Sequence, residues 1–310
     1  MLNKVNLMSI LFIPLFALCA ESKTLTFTDM LTNNVHQKTN TDMKTSNIVI
    51  RVMTYNILEG AYPAGPPSYT SGHPAYSNKD RSKEIIGFIK SKNPDILLLQ
   101  ECNGWADPAN TRLQQFSMQL DMPYKAIAPN HGSYNVALLS KYPIVDYTYL
   151  NDDVYYYWNI LTAKIQLTPS CPIEVASTHF AWWGMPGYSK MTEDQKEQTY
   201  IKQKASLMAF LQERLNGNLI IGGDWNHSAT LSPFNQGNLH DAISNLGYGK
   251  NSLNRFYPEK NPVDNIYLSP SGKFTLLNCE TFPEAKDLSD HLPVMAEISV
   301  ITEKEITDKK

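Results

Sequence analysis

Cysteine is scarce in this sequence, and no CxxC pair occurs among its 310 residues. That excludes a zinc site built from paired thiolates. Cys19 lies in the N-terminal apolar segment. Cys102, Cys171 and Cys279 remain, an odd number whose spacing fixes no disulfide, and Cys102 reads as a buried thiol. Positive charge is not in surplus either. Lys and Arg number 27 against 30 Asp and Glu, a net charge of −3, so the composition carries no basic footprint for nucleic acid. There is no internal repeat, no low-complexity block and no G-x-S-x-G nucleophile elbow. What is present is an ordinary globular composition, 42% hydrophobic and 18% charged, enough for one large domain or two small ones.

The N-terminus reads "MLNKVNLMSILFIPLFALCA". A basic start at Lys4, an apolar middle from Leu7 to Leu18 and small residues near Cys19 and Ala20 form the pattern of a signal peptide over residues 1–20. The apolar run is too short for a membrane span, and the expected location is secreted or periplasmic. Bulky Leu18 argues against a lipid on Cys19. Residues 21–47, rich in Thr, Asn and Lys, read as a flexible polar lead-in. A single domain is expected over 48–301, followed by a polar tail over 302–310.

Within that domain, β-rich runs alternate with helical periods. "NIVIRVMTYNI" and "PDILLLQE" are strands, and "YNVALLSKYPIV" is two strands broken at Pro143. Further strands are "ILTAKIQL", "IEVASTHF", "NLIIGGDW", "VDNIYLS", "KFTLLNCE" and "LPVMAEISV". Ile85, Ile86 and Ile89 recur at helical spacing before Asn93-Pro94, and "TRLQQFSMQL" also reads as helix. The longest helix opens on a capping box, Thr192 to Gln195, and closes near Gly217. Many strands with helices between them imply a layered α/β architecture, and the hairpin-like neighbours imply mixed sheets.

Six of these strands carry a polar group at one end. They are Asn56, Glu101, His179, Asp224 with Asn226, Asp264, and the pair Asp290-His291. Side chains alternate with a period of two, so Asp224 and Asn226 share a side while Trp225 packs on the other. The glycines of "GGDWN" allow a turn or a close backbone approach. Singly, each residue has an ordinary explanation: Asn56 as a turn former, His179 as a core histidine. Together they are hard oxygen ligands and two imidazoles fixed by a rigid sheet. Such a set suits a divalent cation and phosphoester hydrolysis. Ser289, Asp290 and His291 do not read as a serine triad, because triad members are neighbours in space rather than in sequence.

The motifs "TYNI", "LLLQE", "STHF", "GGDWN", "VDNIYL" and "SDHLPV", in this order over roughly residues 49 to 300, resemble the endonuclease/exonuclease/phosphatase superfamily. The resemblance implies a four-layer α/β sandwich, two mixed β-sheets packed face to face with helices outside. It implies a metal-dependent phosphoric ester hydrolase using Mg²⁺, with Mn²⁺ or Ca²⁺ as alternatives. Glu101 would be the principal metal ligand, with Asn56 and Asp290 beside it. Asp224 would orient or deprotonate the attacking water, Asn226 and Asn56 would hold phosphate, and His291 would act on phosphate with Asp264 orienting it. His179 matches the second histidine of the deoxyribonuclease and sphingomyelinase branches. One departure stands out. Where several members begin a strand with a phosphate-gripping arginine, this chain has Trp158 and Asn159, and Asn135 is the candidate substitute contact.

Two loops would select the substrate. Residues 61–78 are stiff and aromatic, and residues 181–188 place Trp182 and Trp183 where they would stack on a base or sugar, or meet lipid. The expected partner is therefore a phosphoester: a nucleic acid, a phospholipid headgroup or a small phosphate ester. The chain reads as a monomer with no obligate protein partner. Alternatives to a general phosphoesterase are a secreted deoxyribonuclease-like endonuclease, a sphingomyelinase-like lipid hydrolase and a non-catalytic binding protein on the same fold.

Overall fold

Period-two burial builds the architecture from the first strand onward. In β1 (Thr45–Asn56), Ile50 and Val52 join one apolar cluster while Met53 and Tyr55 join another. The same split recurs in β2 (Ile96–Gln100), where Ile96 and Leu98 part from Leu97 and Leu99. A strand buried on both faces reads as a continuous apolar run, as "ILLLQ" does. The computed structural model describes residues 45–63, 75, 79–129, 134–151, 159–180, 191–212, 214, 217–226, 240–241 and 263–303.

The remaining strands are β3 (Tyr124–Ala128), β4 (Val136–Ser140), β5 (Ile144–Asn151), β6 (Asn159–Thr168), β7 (Cys171–His179), β8 (Leu219–Asp224), β9 (His240–Asp241), β10 (Asp264–Leu268), β11 (Phe274–Thr281) and β12 (Val294–Glu303). They form two six-stranded sheets, ordered β11-β12-β1-β2-β4-β3 and β5-β6-β7-β8-β10-β9. Each sheet is mixed. β1 runs parallel to β2 and antiparallel to β12, and β7 runs parallel to β8 while β8 and β10 are antiparallel. The sheets share one apolar cluster that holds Ile50, Val52 and Leu98 from the first and Leu161, Val175, Ile220 and Ile266 from the second. On the outer face of the first sheet, α1 (Ser82–Lys92) supplies Ile85, Ile86 and Ile89, and α2 (Arg112–Gln119) supplies Phe116. On the outer face of the second, α3 (Glu193–Leu211) supplies Tyr200, Leu207 and Leu211. The result is the four-layer sandwich, helix, sheet, sheet, helix.

Local signals set the element ends. Thr192 and Gln195 close a capping box, with Gln195 N–H donating to Thr192 Oγ1 at 3.3 Å and Thr192 N–H to Gln195 Oε1 at 2.8 Å. Asn93, left-handed at φ 50°, ends α1 before Pro94. The β1–β12 ladder runs from Thr45 opposite Glu303, and Ser46 and Thr302 share a hydroxyl hydrogen bond at 2.8 Å. Strand pairing thus extends a few residues beyond 48–301. β3 left no clear sequence signal, since it is a five-residue edge strand with alternating partial burial.

Two glycines in β8 show how tightly the layers meet. A Cβ on Gly222 would lie 2.8 Å from Leu98 Cδ1 and 3.3 Å from Thr54 Cβ, across the sheet interface. A Cβ on Gly223 would overlap the Thr178 carbonyl oxygen of the neighbouring strand. By contrast, Gly87 sits in α1 with nothing within 4 Å of a Cβ. Gly87→Ala is therefore expected to stabilise the fold by about 0.5–1 kcal/mol, as a helix former replacing glycine. Gly223→Ala is expected to destabilise it by about 3 kcal/mol through overpacking. Urea unfolding of the two variants beside the parent chain checks both signs.

Candidate active site

The rows of side chains that face between the sheets change character at one end. β1 runs Ile50, Val52, Thr54, Asn56; β7 runs Ile173, Val175, Ser177, His179; β8 runs Ile220, Gly222, Asp224; β10 runs Leu268, Ile266, Asp264. A polar layer separates core from site. Gln100 Nε2 donates to Thr54 Oγ1 at 3.0 Å and to Ser177 Oγ at 3.1 Å, tying the two sheets. Above it lie the strand-end residues. Strand register brings them together, with His179 opposite Asp224 and Asp264 opposite Asp224.

Asp224 is the hub. Its Oδ2 accepts from Asn56 Nδ2 at 2.9 Å and lies 3.5 Å from His179 Nε2 and 3.6 Å from His291 Nε2. Its Oδ1 accepts the Asn226 main-chain N–H at 2.8 Å. Asn56 Nδ2 also donates to Glu101 Oε1 at 3.0 Å, and its Oδ1 accepts Leu58 N–H at 3.0 Å. The amide therefore turns its nitrogen toward the two carboxylates and its oxygen toward the backbone. His291 Nδ1 meets Asp264 Oδ2 at 2.7 Å. Ser289 Oγ donates to the Asn56 carbonyl at 2.7 Å and accepts His291 N–H at 3.2 Å, which fixes the chain where Asp290 and His291 enter.

Placement of the remaining candidates is less uniform. Asn226 spends an amide donor on the Phe180 carbonyl at 2.6 Å. Asn135 is buried, with its main-chain carbonyl accepting Cys102 N–H at 2.9 Å and its Oδ1 accepting Ala106 N–H at 3.4 Å. Asn159 pairs with His179 in register and donates to the Ala128 and Tyr134 carbonyls at 3.4 and 3.3 Å. Trp225 faces away from the site and stacks on Phe180 at 5.4 Å. Trp182, Trp183, Trp158, His227 and most of the loop 61–78 lie outside the described residues. Cys102, Cys171 and Cys279 are buried thiols.

Two residues that sequence reasoning passed over belong to this end of the sandwich. Glu59 donates its N–H to Glu101 Oε2 at 3.1 Å and accepts on its own carboxylate from Asn103. Its signal was faint: an acid three residues beyond Asn56, next to Gly60. Arg81 is 4% exposed, and a buried arginine has no sequence signature. The backbone here is strained. Leu58, Glu59, Ala61, Glu101 and Asn226 have φ of 53, 53, 64, 53 and 50°, each costing about 1–3 kcal/mol for a side chain other than glycine. Such outliers gather at functional sites.

Electrostatics distinguishes the groups. Burial, then the charges of Asp290 and Glu59, pushes the Glu101 carboxyl up to about 8. Burial also raises Asp224, with His291 and His179 pulling it down. For His291 burial acts downward, but Asp264 and Asp224 outweigh it and hold the imidazole well above its ordinary value. His179 is lowered, first by burial, and is neutral; neither ring nitrogen makes a hydrogen bond among the described residues. Glu101, His179 and Asp224, and again Asp224, Asp264 and His291, each bring one ligand atom within 4.8 Å of the others. Crowded hard oxygen donors that raise one another's proton affinity fit a divalent cation, which relieves that repulsion.

Each hydrogen bond from the Asn56 amide to a carboxylate is worth about 1.5–3 kcal/mol. Asn56→Ala is expected to lower unfolding free energy by about 3 kcal/mol or more in EDTA. The loss is expected to shrink with Mn²⁺ present, because a bound cation would offset the carboxylate repulsion that the amide otherwise offsets. Urea titrations under both conditions measure the difference.

Comparison with known proteins agrees with this geometry. The human Nocturnin catalytic domain, with bound sulfate anion, superposes with a TM-score of 0.58 at 19% identity, covering 84% of this chain and 97% of that one. ANGEL2, a 2′,3′-cyclic phosphatase, gives 0.60 at 15% identity, covering 82% and 95%. A mannosyl-6-phosphatase from Bacteroides thetaiotaomicron gives 0.57 at 17% identity, covering 80% and 99%. No curated protein sequence matches. The profile of the endonuclease/exonuclease/phosphatase family matches residues 53–291, and the chain belongs to that family.

Proposed function

We propose that this protein is a divalent-metal-dependent phosphoester hydrolase in which Asp224 positions and deprotonates the attacking water. One observation carries the reading: Asp224 Oδ2 lies 3.5 Å from His179 Nε2 and 3.6 Å from His291 Nε2, while Asp264 Oδ2 holds the other ring nitrogen of His291 at 2.7 Å. The imidazolium of His291, held by Asp264, offers Nε2–H to a phosphate oxygen and stabilises the charge that develops there. His179, with no hydrogen bond to its ring nitrogens among the described residues, approaches the same carboxylate oxygen through Nε2, where it would serve as a proton relay for a leaving oxygen. Glu101 and Asp290 would hold the ion, taken as Mg²⁺. When bound, it neutralises phosphate oxygens and polarises the phosphorus centre.

For the substrate, the lack of surplus basic residues and Asn159 at the head of β6 favour a small phosphate ester over nucleic acid. The similar structures include a 2′,3′-cyclic phosphatase and a mannosyl-6-phosphatase, which fits that range. A second reading, a deoxyribonuclease-like enzyme, is favoured by His179. Export is part of the proposal and rests on the pattern of residues 1–20.

A substrate panel decides among these. p-Nitrophenyl phosphate, its bis ester, plasmid DNA and sphingomyelin are each offered with Mg²⁺, Mn²⁺ or EDTA. Turnover of a small ester, abolished by EDTA, is expected. Asp264→Asn, which removes the anion behind His291, is expected to lower kcat by about 10²–10⁴-fold, and Glu101→Ala by at least as much. Turnover that survives both EDTA and Glu101→Ala overturns the reading.

A further inference from the structure

No step so far uses Arg81, the one arginine buried among the described residues. The Arg81 guanidinium donates to four main-chain carbonyls. Nη1 reaches Ile57 at 3.2 Å and Leu288 at 2.6 Å, and Nη2 reaches Leu58 at 2.5 Å and Tyr62 at 3.2 Å. All four acceptors are neutral, and among the described residues no salt bridge accounts for burying this charge and Nε makes no hydrogen bond, so these four carbonyls carry the offset of its desolvation.

The four carbonyls come from two segments only. Residues 57–62 follow Asn56 directly, and Leu288 directly precedes Ser289, Asp290 and His291. The first segment contains Leu58, Glu59, Gly60 and Ala61, all at positive φ. A left-handed run of this kind does not hold itself; it persists where its surroundings over-determine it. Arg81 supplies much of that constraint, since its main-chain N–H also donates to the Ala61 carbonyl at 2.9 Å. Only in this bent form does the segment present Glu59 N–H to Glu101 Oε2 and Gly60 N–H to the Glu101 carbonyl at 2.6 Å. The fourth carbonyl ties the same guanidinium to the chain that carries Asp290.

We propose that Arg81 is a positioning residue whose guanidinium locks residues 57–62 and Leu288 into one frame and thereby fixes Glu101 and Asp290 relative to each other for a divalent ion. This rests on reading Glu101 and Asp290 as the ion's holders. The planar fork is what the task needs: a lysine ammonium carries the same charge but does not span four carbonyls in a plane. The charge contributes as well, because Asp290, Glu101 and Glu59 all act on it.

The test compares Mn²⁺ binding by calorimetry and steady-state turnover in the parent chain, Arg81→Lys and Arg81→Ala, with cooperative melting confirming the fold. Both variants are expected to bind Mn²⁺ about 10–100-fold more weakly and to lose kcat by a similar factor, as for groups that orient metal ligands, while KM moves little. Low concentrations of guanidinium are expected to restore binding in Arg81→Ala. A folded variant whose Mn²⁺ affinity stays within about threefold of the parent overturns the proposal. So does failure of both variants to fold, which would make Arg81 a requirement of the fold as a whole. Because the binding readout needs no substrate, a parent chain that binds Mn²⁺ but hydrolyses nothing refutes the functional reading alone and leaves Arg81 still tested.

Discussion

A single side-chain amide holds the two sheets' acids in one place. Asn56 extends from the first sheet and donates to Glu101 on its own sheet and to Asp224 on the other. Two carboxylates brought this close repel, and each loses solvation as the sandwich closes over it. The amide offsets part of that cost and sets where the acids stand. The rest of the cluster follows from this span, because His179, His291 and Asp264 are placed by their relation to Asp224. The site is therefore an interface between layers, and the layer spacing, kept small by Gly222, is part of its geometry.

Much of this was legible in the chain because strands repeat every two residues. Once Ile220 faces inward, Gly222 and Asp224 do too, and Trp225 does not; the register then puts Asp224 beside His179 and Asp264. Order along the sequence announced the set, and sheet topology assembled it. The pairing of Asp264 with His291 followed from family pattern rather than from any local rule. Arg81 and Glu59 were not legible. A charged residue is by default solvated, and nothing local distinguishes one whose partners are backbone carbonyls distant in sequence. The left-handed turn at 58–61 was equally hidden, since Leu58, Glu59 and Ala61 are residues that ordinarily avoid it. Tertiary contacts, not propensity, impose it.

Charge is distributed with economy here. Acids dominate the end of the sandwich; among the described residues Arg81 and His291 stand against them, and each is bound to fixed partners. Burial and the charges of Asp290 and Glu59 keep the proton affinity of Glu101 high all the same. An oxygen-lined spot of this kind would suit a small hard cation better than a flexible side chain.

The Thr54–Gln100–Ser177 layer has a consequence for how such a protein diversifies. It lies between the aliphatic interior and the reacting groups, so the strands carry cohesion and chemistry on separate storeys of the same scaffold. The cluster of Ile50, Val52, Leu98, Val175, Ile220 and Ile266 lies wholly on the lower storey. An architecture partitioned in this way is free to change clients while keeping its foundations.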